Sequence, residues 1–180
     1  MDPADYEIYR AAIQGDREAF EILIRTMSRP LFAVAYGVLQ SREEAEDAVQ
    51  DAFIKAWKSR WRARDPEKFP AWLATIARHR AHDILRKRRT VSLEDLEADA
   101  PSSPSFDATE DPERHAQVHS ALATLPELHR SAVALRYLEN MDYATIEQTL
   151  GLTNGALRGI LGRALQSMRK RLKPAFATMS

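Results

Sequence analysis

His79, His82 and Asp83 are the side chains whose types and spacing come nearest to metal or catalytic chemistry in this sequence. Two of them could lie on one helical face and bind a metal ion. No other His or Cys precedes them, however, and no second pair of ligands is evident. The sequence also lacks a Gly-rich phosphate loop, a nucleophile motif and any Cys. We therefore expect no catalytic residue, no metal site and no cofactor.

A helix with two dissimilar faces is predicted from Ser41 to Trp57, because Ser41 and Glu44 have the spacing of a capping box. One face is apolar and consists of Ala45, Ala48, Val49, Ala52, Phe53, Ala56 and Trp57. The opposite face carries Asp47, Gln50, Asp51 and Ile54. Two acids, an amide and an exposed aliphatic favour a docking surface for another protein. The alternative is a solvated acidic face with one exposed Ile.

Two basic segments follow this helix. The first, residues 58–64, combines Lys58, Arg60 and Arg62 with Trp61, and such a loop can contact phosphates and stack on a base. The alternative is a solvated loop with Trp61 folded onto the core. The second is a predicted helix from Phe69 to Arg89 with an aromatic, histidines and arginines on one side, a pattern that favours nucleic acid. Its candidate contacts are Trp72, Arg78, His79, Arg86, Arg88 and Arg89. Basic residues at a helix C-terminus are also ordinary partners of the helix dipole.

A helix-turn-helix is predicted near the C-terminus. Asp142 can cap a short helix that Gly151 ends, and Thr153 can cap a long helix that continues to about Leu172. Its core face carries Leu157, Leu161, Ala164, Leu165 and Met168, and the opposite face carries Gly155, Gly159, Gly162 and Gln166. Glycine has no side chain to read a base, so we expect phosphate contacts to dominate, with Asn154 as a candidate base reader. The candidate DNA contacts are Thr153, Asn154, Gly155, Arg158, Gly159 and Arg163.

The elements that position these residues are predicted to be helices throughout, in two domains. Gly15 can end a first helix, Asp16 can cap a second, and Pro30 is expected to break it before another apolar helix at Leu31–Leu39. The net charge is zero, but residues 1–90 and 116–180 are basic and residues 91–115 are acidic. We predict domains at residues 1–90 and 112–180, joined by a flexible acidic linker rich in Pro and Ser at 91–111. With no bilayer-length apolar run or signal-peptide pattern, the protein is expected to be soluble and cytoplasmic, without membrane insertion.

Several of these motifs resemble a known family. The run E-D-A-V-Q-D-A-F-I-K-A-W resembles the core-polymerase-binding segment of bacterial RNA polymerase sigma factors of the extracytoplasmic-function (ECF) group. Residues 69–89 resemble the family's promoter-melting, −10-reading helix, with His79 where the family usually has Asn. Residues 125–172 resemble sigma domain 4, which binds the −35 element. The resemblance implies an all-α protein with sigma domains 2 and 4. It implies that Asp47, Gln50, Asp51 and Ile54 bind the clamp coiled coil of the polymerase largest subunit, and that the basic residues bind promoter DNA. An anti-sigma protein is a further expected partner.

Two other function classes remain at this point. A sigma-like decoy that sequesters an anti-sigma factor is compatible with the Gly-rich face of the last helix. The Asp47/Gln50/Asp51 face and the basic run Arg86–Arg89 argue against it, because a decoy needs neither. An enzyme would need a catalytic motif, and the sequence offers none.

Overall fold

The computed structural model describes residues 2–94 and 112–177, and this part of the chain is helical with no strand. The α-helices are α1 Pro3–Gln14, α2 Arg17–Leu39, α3 Arg42–Ser59, α4 Phe69–Glu94, α5 Pro112–Ala123, α6 Glu127–Val133, α7 Tyr143–Leu150 and α8 Asn154–Ala177. Short 3₁₀ turns at Arg60–Arg62 and Pro66–Lys68 connect α3 to α4, and a π-helical turn at Ala134–Leu138 follows α6. The all-α prediction is confirmed.

The caps at the junction of α1 and α2 form as the sequence predicts. Gly15 ends α1 with a φ of 97°, and the Asp16 side chain accepts a hydrogen bond of 2.9 Å from the Ala19 amide at the start of α2.

The expected break at Pro30 is wrong, because α2 continues through it to Leu39. Proline in a helix interior costs about 3 kcal/mol. Here Pro30 is fully buried in the most extensively buried helix of the fold, and tertiary packing outweighs the local cost.

Helices α1–α4 form the first unit, with α2 at its centre against α1, α3 and α4. The predicted apolar face of α3 is buried from Ala45 to Ala56. Phe20 of α2 meets Phe53 and Trp57 of α3 in edge-to-face ring contacts at 6.4 and 5.0 Å. On α4, Leu73, Ala77 and Ala81 are buried as predicted, while Ile84 and Leu85 are half-buried. The helix continues to Glu94, five residues beyond its expected end at Arg89.

Helices α5–α8 form the second unit, and α7 and α8 make the predicted helix-turn-helix. The Asp142 carboxylate accepts a 2.8 Å hydrogen bond from the Thr145 amide, and Gly151 ends α7 with a φ of 65°. The Thr153 hydroxyl accepts from the Ala156 amide at 3.3 Å, which caps α8. The core face of α8 is as predicted except that Leu165 is half-buried and Ile160, which has no place on the predicted core face, is buried.

The two units pack against each other, chiefly through α2 and α6. Gly37 of α2 faces Ser131 of α6 so closely that a Cβ added at residue 37 would overlap the Ser131 hydroxyl and lie 3.2 Å from its Cα. Arg130 donates to the Gly37 carbonyl, and Arg29 pairs with Glu139 at 2.6 Å. The linker was predicted at 91–111, but residues 91–94 belong to α4, and the rest of the predicted linker, 95–111, lies outside the described residues.

Burial at this contact shifts two pKa values. Burial raises the pKa of Tyr36 to about 12, although the nearby Arg130 guanidinium acts in the opposite direction. Burial lowers the pKa of Arg130 from its ordinary value, and Glu127 and Tyr36 oppose that change. Tyr36 is therefore uncharged near neutral pH.

Helix α2 is long and apolar enough to cross a bilayer by length and composition, and it is the one such helix in the described part of the chain. A core helix of a soluble protein passes the same test. Here thirteen residues of α2 are buried against its helical neighbours, which accounts for its apolar composition.

Candidate protein and nucleic-acid interfaces

The acidic face of α3 (Asp47, Gln50, Asp51 and Ile54) is exposed along its whole length. Ile54 has 54% of its surface accessible, although the opposite side of the same helix is fully packed. Within the described residues, neither Asp47 nor Asp51 has an ion-pair or hydrogen-bond partner. Free carboxylates around an exposed aliphatic side chain can accept hydrogen bonds or cations from a second protein and bury an apolar contact.

The basic loop after α3 (residues 58–64) separates into residues that support the fold and residues that are free. Arg60 is half-buried, donates to the Trp57 carbonyl at 2.7 Å and lies 4.4 Å from the Trp57 ring centroid. It also lies against Gly15, where an added Cβ would be 2.8 Å from its guanidinium. Arg60 is therefore held by the first unit. Trp61 is 67% exposed, with the Arg62 guanidinium 5.0 Å from its ring, and Lys58 is exposed. The alternative in which Trp61 folds onto the core is not what the structure shows.

Helix α4 presents most of its predicted DNA contacts to solvent. Arg78 and His79 are exposed, and Trp72 is half-buried with its ring 5.3 Å from that of Phe69. Further along the helix, Arg86 pairs with Asp83 at 2.8 Å and Arg88 pairs with Glu44 of α3 at 3.1 Å. These two pairs hold their guanidinium groups near the surface. The Arg89 side chain lies outside the described residues.

The His79/His82/Asp83 cluster is divided between two surfaces. His82 Nε2 lies 2.9 Å from Glu127 Oε2 of α6, at the contact between the units, whereas His79 is open to solvent. Asp83 contacts Arg80 and Arg86. No group of three or more His, Cys, Asp or Glu side chains in the described ranges could hold a metal ion.

The exposed face of α8 carries glycines with different surroundings. Side chains added at Gly155 and Gly162 would meet open space. At Gly159 an added Cβ would lie 3.2 Å from Arg163 Nη1, so Arg163 folds across this glycine. Burial is the larger cause that lowers the pKa of His129 on α6 from its ordinary value, and the nearby Arg163 guanidinium adds to that change. Helix α8 therefore carries the glycines and the flanking arginines that the sequence predicts for this face.

Two residues of α7 that sequence reasoning missed hold side chains of α8 that are candidate DNA contacts. Tyr143 has the guanidinium groups of Arg136 and Arg158 within 5.4 and 5.9 Å of its ring centroid. Glu147 accepts a 2.6 Å hydrogen bond from the Asn154 side-chain amide. The sequence could have indicated both residues, because they lie on the first helix of a helix-turn-helix and face the start of the second.

Comparison with known proteins places both units. The family description Sigma-70 region 2 matches residues 23–91, and Sigma-70, region 4 matches residues 115–168. The chain is 30% identical to the ECF RNA polymerase sigma factor SigE of Mycolicibacterium smegmatis, over 94% of this chain and 69% of that protein. It is also 30% identical to the ECF RNA polymerase sigma factor SigM of Mycobacterium tuberculosis, over 89% and 81%.

Solved structures show the same fold. The structure of CnrH in complex with the cytosolic domain of CnrY matches with a TM-score of 0.64 and 27% identity, over 95% of this chain and 98% of that one. The sigma factor RpoE of Bartonella quintana, in complex with the anti-sigma factor NepR, matches with a TM-score of 0.63 and 24% identity, over 86% and 96%. The chain belongs to the ECF sigma factors, non-enzymatic proteins that bind core RNA polymerase and promoter DNA and direct transcription initiation.

Proposed function

We propose that the three exposed surfaces divide the work of initiation. The acidic face of α3 binds the clamp coiled coil of the polymerase largest subunit. The exposed side of α4, with Trp61 and Arg62 of the preceding loop, contacts the −10 region, and the start of α8 contacts the −35 region.

The state of the α3 face is the observation that carries this proposal. Core helices of a folded protein bury their apolar residues, and Ile54 is left 54% exposed beside two carboxylates that have no partner among the described residues. A surface of this kind is stabilised when a partner brings cations to the acids and covers the aliphatic side chain. The family resemblance assigns the clamp coiled coil to this face as that partner.

The −10 role of α4 follows from its exposed cations and the nearby aromatic side chain. Arg78, Arg86 and Arg88 are exposed along one helix, and Trp61 offers an unpacked ring. Arginines contact phosphates irrespective of sequence, while an exposed indole can stack on an unpaired base. Arg60 is left out of this surface, because its guanidinium is held between Trp57 and Gly15.

A protein regulator is the further partner. Two similar solved structures are complexes, CnrH with the cytosolic domain of CnrY and the sigma factor RpoE with the anti-sigma factor NepR. We include an anti-sigma protein among the partners on this basis, and we assign the chain to the cytoplasm, where its polymerase and promoter are.

Transcription in vitro separates a sigma factor from a decoy. The purified chain is added to core RNA polymerase and a fragmented genomic template, and the 5′ ends of the transcripts are mapped. The proposed function gives start sites that core polymerase alone does not use. Binding to an anti-sigma protein with no new start site would favour the decoy instead.

A further inference from the structure

We propose that Glu147 fixes the amide of Asn154 so that the start of α8 reads an amino-bearing base, adenine or cytosine, at one position of the −35 element. Glu147 is a positioning residue, and Asn154 is the residue that touches the base. The inference rests on the proposed contact between α8 and the −35 region.

The turn between α7 and α8 holds both residues in place. Asn154 is the first residue of α8 and is exposed, directly after the Thr153 cap. Its Nδ2 donates to Glu147 Oε1 at 2.6 Å. The Glu147 carbonyl in turn accepts from the backbone amides of Gly151 and Leu152, so the backbone that carries this carboxylate is held in the turn.

The chemistry of the two side chains fixes the direction of the amide. An ionised carboxylate only accepts hydrogen bonds, so it must face the Asn154 amino group and cannot face the carbonyl oxygen. Oδ1 is therefore the group left to meet DNA, together with the second hydrogen on Nδ2. Without Glu147 the amide could turn over and present either polarity.

This polarity selects between classes of base. In the major groove adenine and cytosine present amino donors, whereas guanine and thymine present carbonyl acceptors in the corresponding place. An outward Oδ1 accepts from the amino groups and is repelled by the carbonyls. The remaining Nδ2 hydrogen can also donate to adenine N7, which ranks adenine first and cytosine second.

The surroundings on α8 leave Asn154 as the suitable reader. Residues at the start of a recognition helix contact base edges. Gly155 and Gly162 bring no side chain, Arg158 lies over Tyr143, and Arg163 folds across Gly159. The Thr153 hydroxyl is occupied as the helix cap by the Ala156 amide, which leaves the Asn154 amide as the other uncharged group with directional hydrogen bonding among the candidate contacts.

The test uses the full chain with core polymerase and a promoter library randomised through the −35 region, and sequences the transcribed templates. In the wild-type chain one position should favour adenine or cytosine over guanine or thymine by about tenfold. Asn154→Ala should flatten that position only. Glu147→Gln should admit guanine and thymine at that position as well, because glutamine can accept from or donate to the amide. Gln166→Ala, which removes an exposed amide three turns further along α8, is the control and should leave the preference intact.

Every other outcome overturns the inference. A library with no preference at all, a preference that Asn154→Ala does not change, an Asn154-dependent preference for guanine or thymine, or an unchanged preference in Glu147→Gln would each do so. An Arg158→Ala, Arg163→Ala double variant on one fixed promoter tests the underlying contact separately. If that variant binds and transcribes as the wild type does, α8 does not contact the −35 region and the proposed role of α8 fails as well.

Discussion

Arg86 and Arg88 belong to the proposed DNA surface of α4. Each guanidinium is exposed and held by one acid, Asp83 for Arg86 and Glu44 for Arg88, at 2.8 and 3.1 Å. Exposed pairs of this type contribute little to stability, so the arginines can exchange a carboxylate for a phosphate at small cost.

The Arg86→Ala, Arg88→Ala double substitution should therefore weaken promoter opening with little effect on folding. Each lost phosphate contact removes about 0.9 from the slope of log affinity against log salt concentration, so the slope should fall by about 2. Permanganate reactivity of the melted region, measured across a salt series, reports both the extent of promoter opening and its salt dependence. An Arg10→Ala, Arg25→Ala double variant removes two arginines with comparable acid partners on α1 and α2 and should behave as the wild type. Equal reactivity in both double variants would remove these residues from the −10 surface.

At the scale of elements, α7 depends on the cap at its first turn. The backbone and hydroxyl hydrogen bonds from Thr145 lower the pKa of Asp142 from its ordinary value. A carboxyl whose pKa is lower in the folded state adds stability above its unfolded pKa, and that stability is lost as the pH falls through the folded pKa.

Asp142→Ala should cost about 1 kcal/mol of unfolding free energy at neutral pH. The difference from wild type should shrink below about pH 4. Asp142→Asn keeps a capping side chain but has no ionisable group, so its free energy of unfolding at neutral pH should be close to that of the wild type. The two chains should differ chiefly in how that free energy changes with pH. Urea unfolding at several pH values measures all three chains. A cost for Asp142→Ala that stays constant down to pH 2 would contradict the assignment.

The glycines of α8 lead to a second prediction about the stability of the free protein. Glycine inside a helix costs about 1 kcal/mol relative to alanine. Gly162→Ala adds a methyl group in open space, so it should stabilise the free protein by about that amount. Gly159→Ala should gain less, because its methyl group must displace the Arg163 guanidinium. Chemical unfolding of both variants checks the order, and a Gly162→Ala chain less stable than wild type would refute it.

These elements also show how far the sequence determines the fold. The caps at Asp16, Asp142 and Thr153 and the apolar face of α3 depend on residues a few positions apart, and they were predictable for that reason. The continuation of α2 through Pro30 depends on burial by distant helices, which local propensity does not contain. The same holds for the candidate sites. The exposure of Ile54 followed from helical periodicity, whereas the capture of Arg60 by Trp57 and Gly15 and the Glu147–Asn154 bond require the tertiary fold.

The packed arrangement of the two units has to open on a promoter if α4 and α8 make the proposed contacts. The −35 and −10 elements are centred about 25 base pairs apart, which is roughly 85 Å at about 3.4 Å per base pair. In this structure a Cβ at Gly151, three residues before Asn154, would lie 3.7 Å from the Ala71 side chain near the start of α4. The two helices proposed to contact these elements, α4 and α8, therefore begin close together, and they cannot reach both elements without separating.

Gly37→Leu should favour the separated form, because any side chain at residue 37 collides with Ser131 of the other unit. The radius of gyration from small-angle X-ray scattering should increase, while circular dichroism retains the helical signal. Gly162→Leu adds the same side chain at an open position and should leave the radius unchanged. An unchanged radius for Gly37→Leu would show that the contact between α2 and α6 does not hold the free protein together.

The affinity of core RNA polymerase for the Asp51→Arg variant tests whether the acidic face of α3 is the polymerase surface. Asp51 is exposed on the acidic face of α3, so reversal of its charge should not alter thermal unfolding but should repel a partner that brings cations to this face. We expect the variant to lose core binding, and Glu7→Arg, an equal reversal at an exposed acid on α1, to bind as the wild type does. Wild-type affinity in Asp51→Arg would contradict the account, because the exposed Ile54 and its neighbouring acids would then not be the polymerase surface.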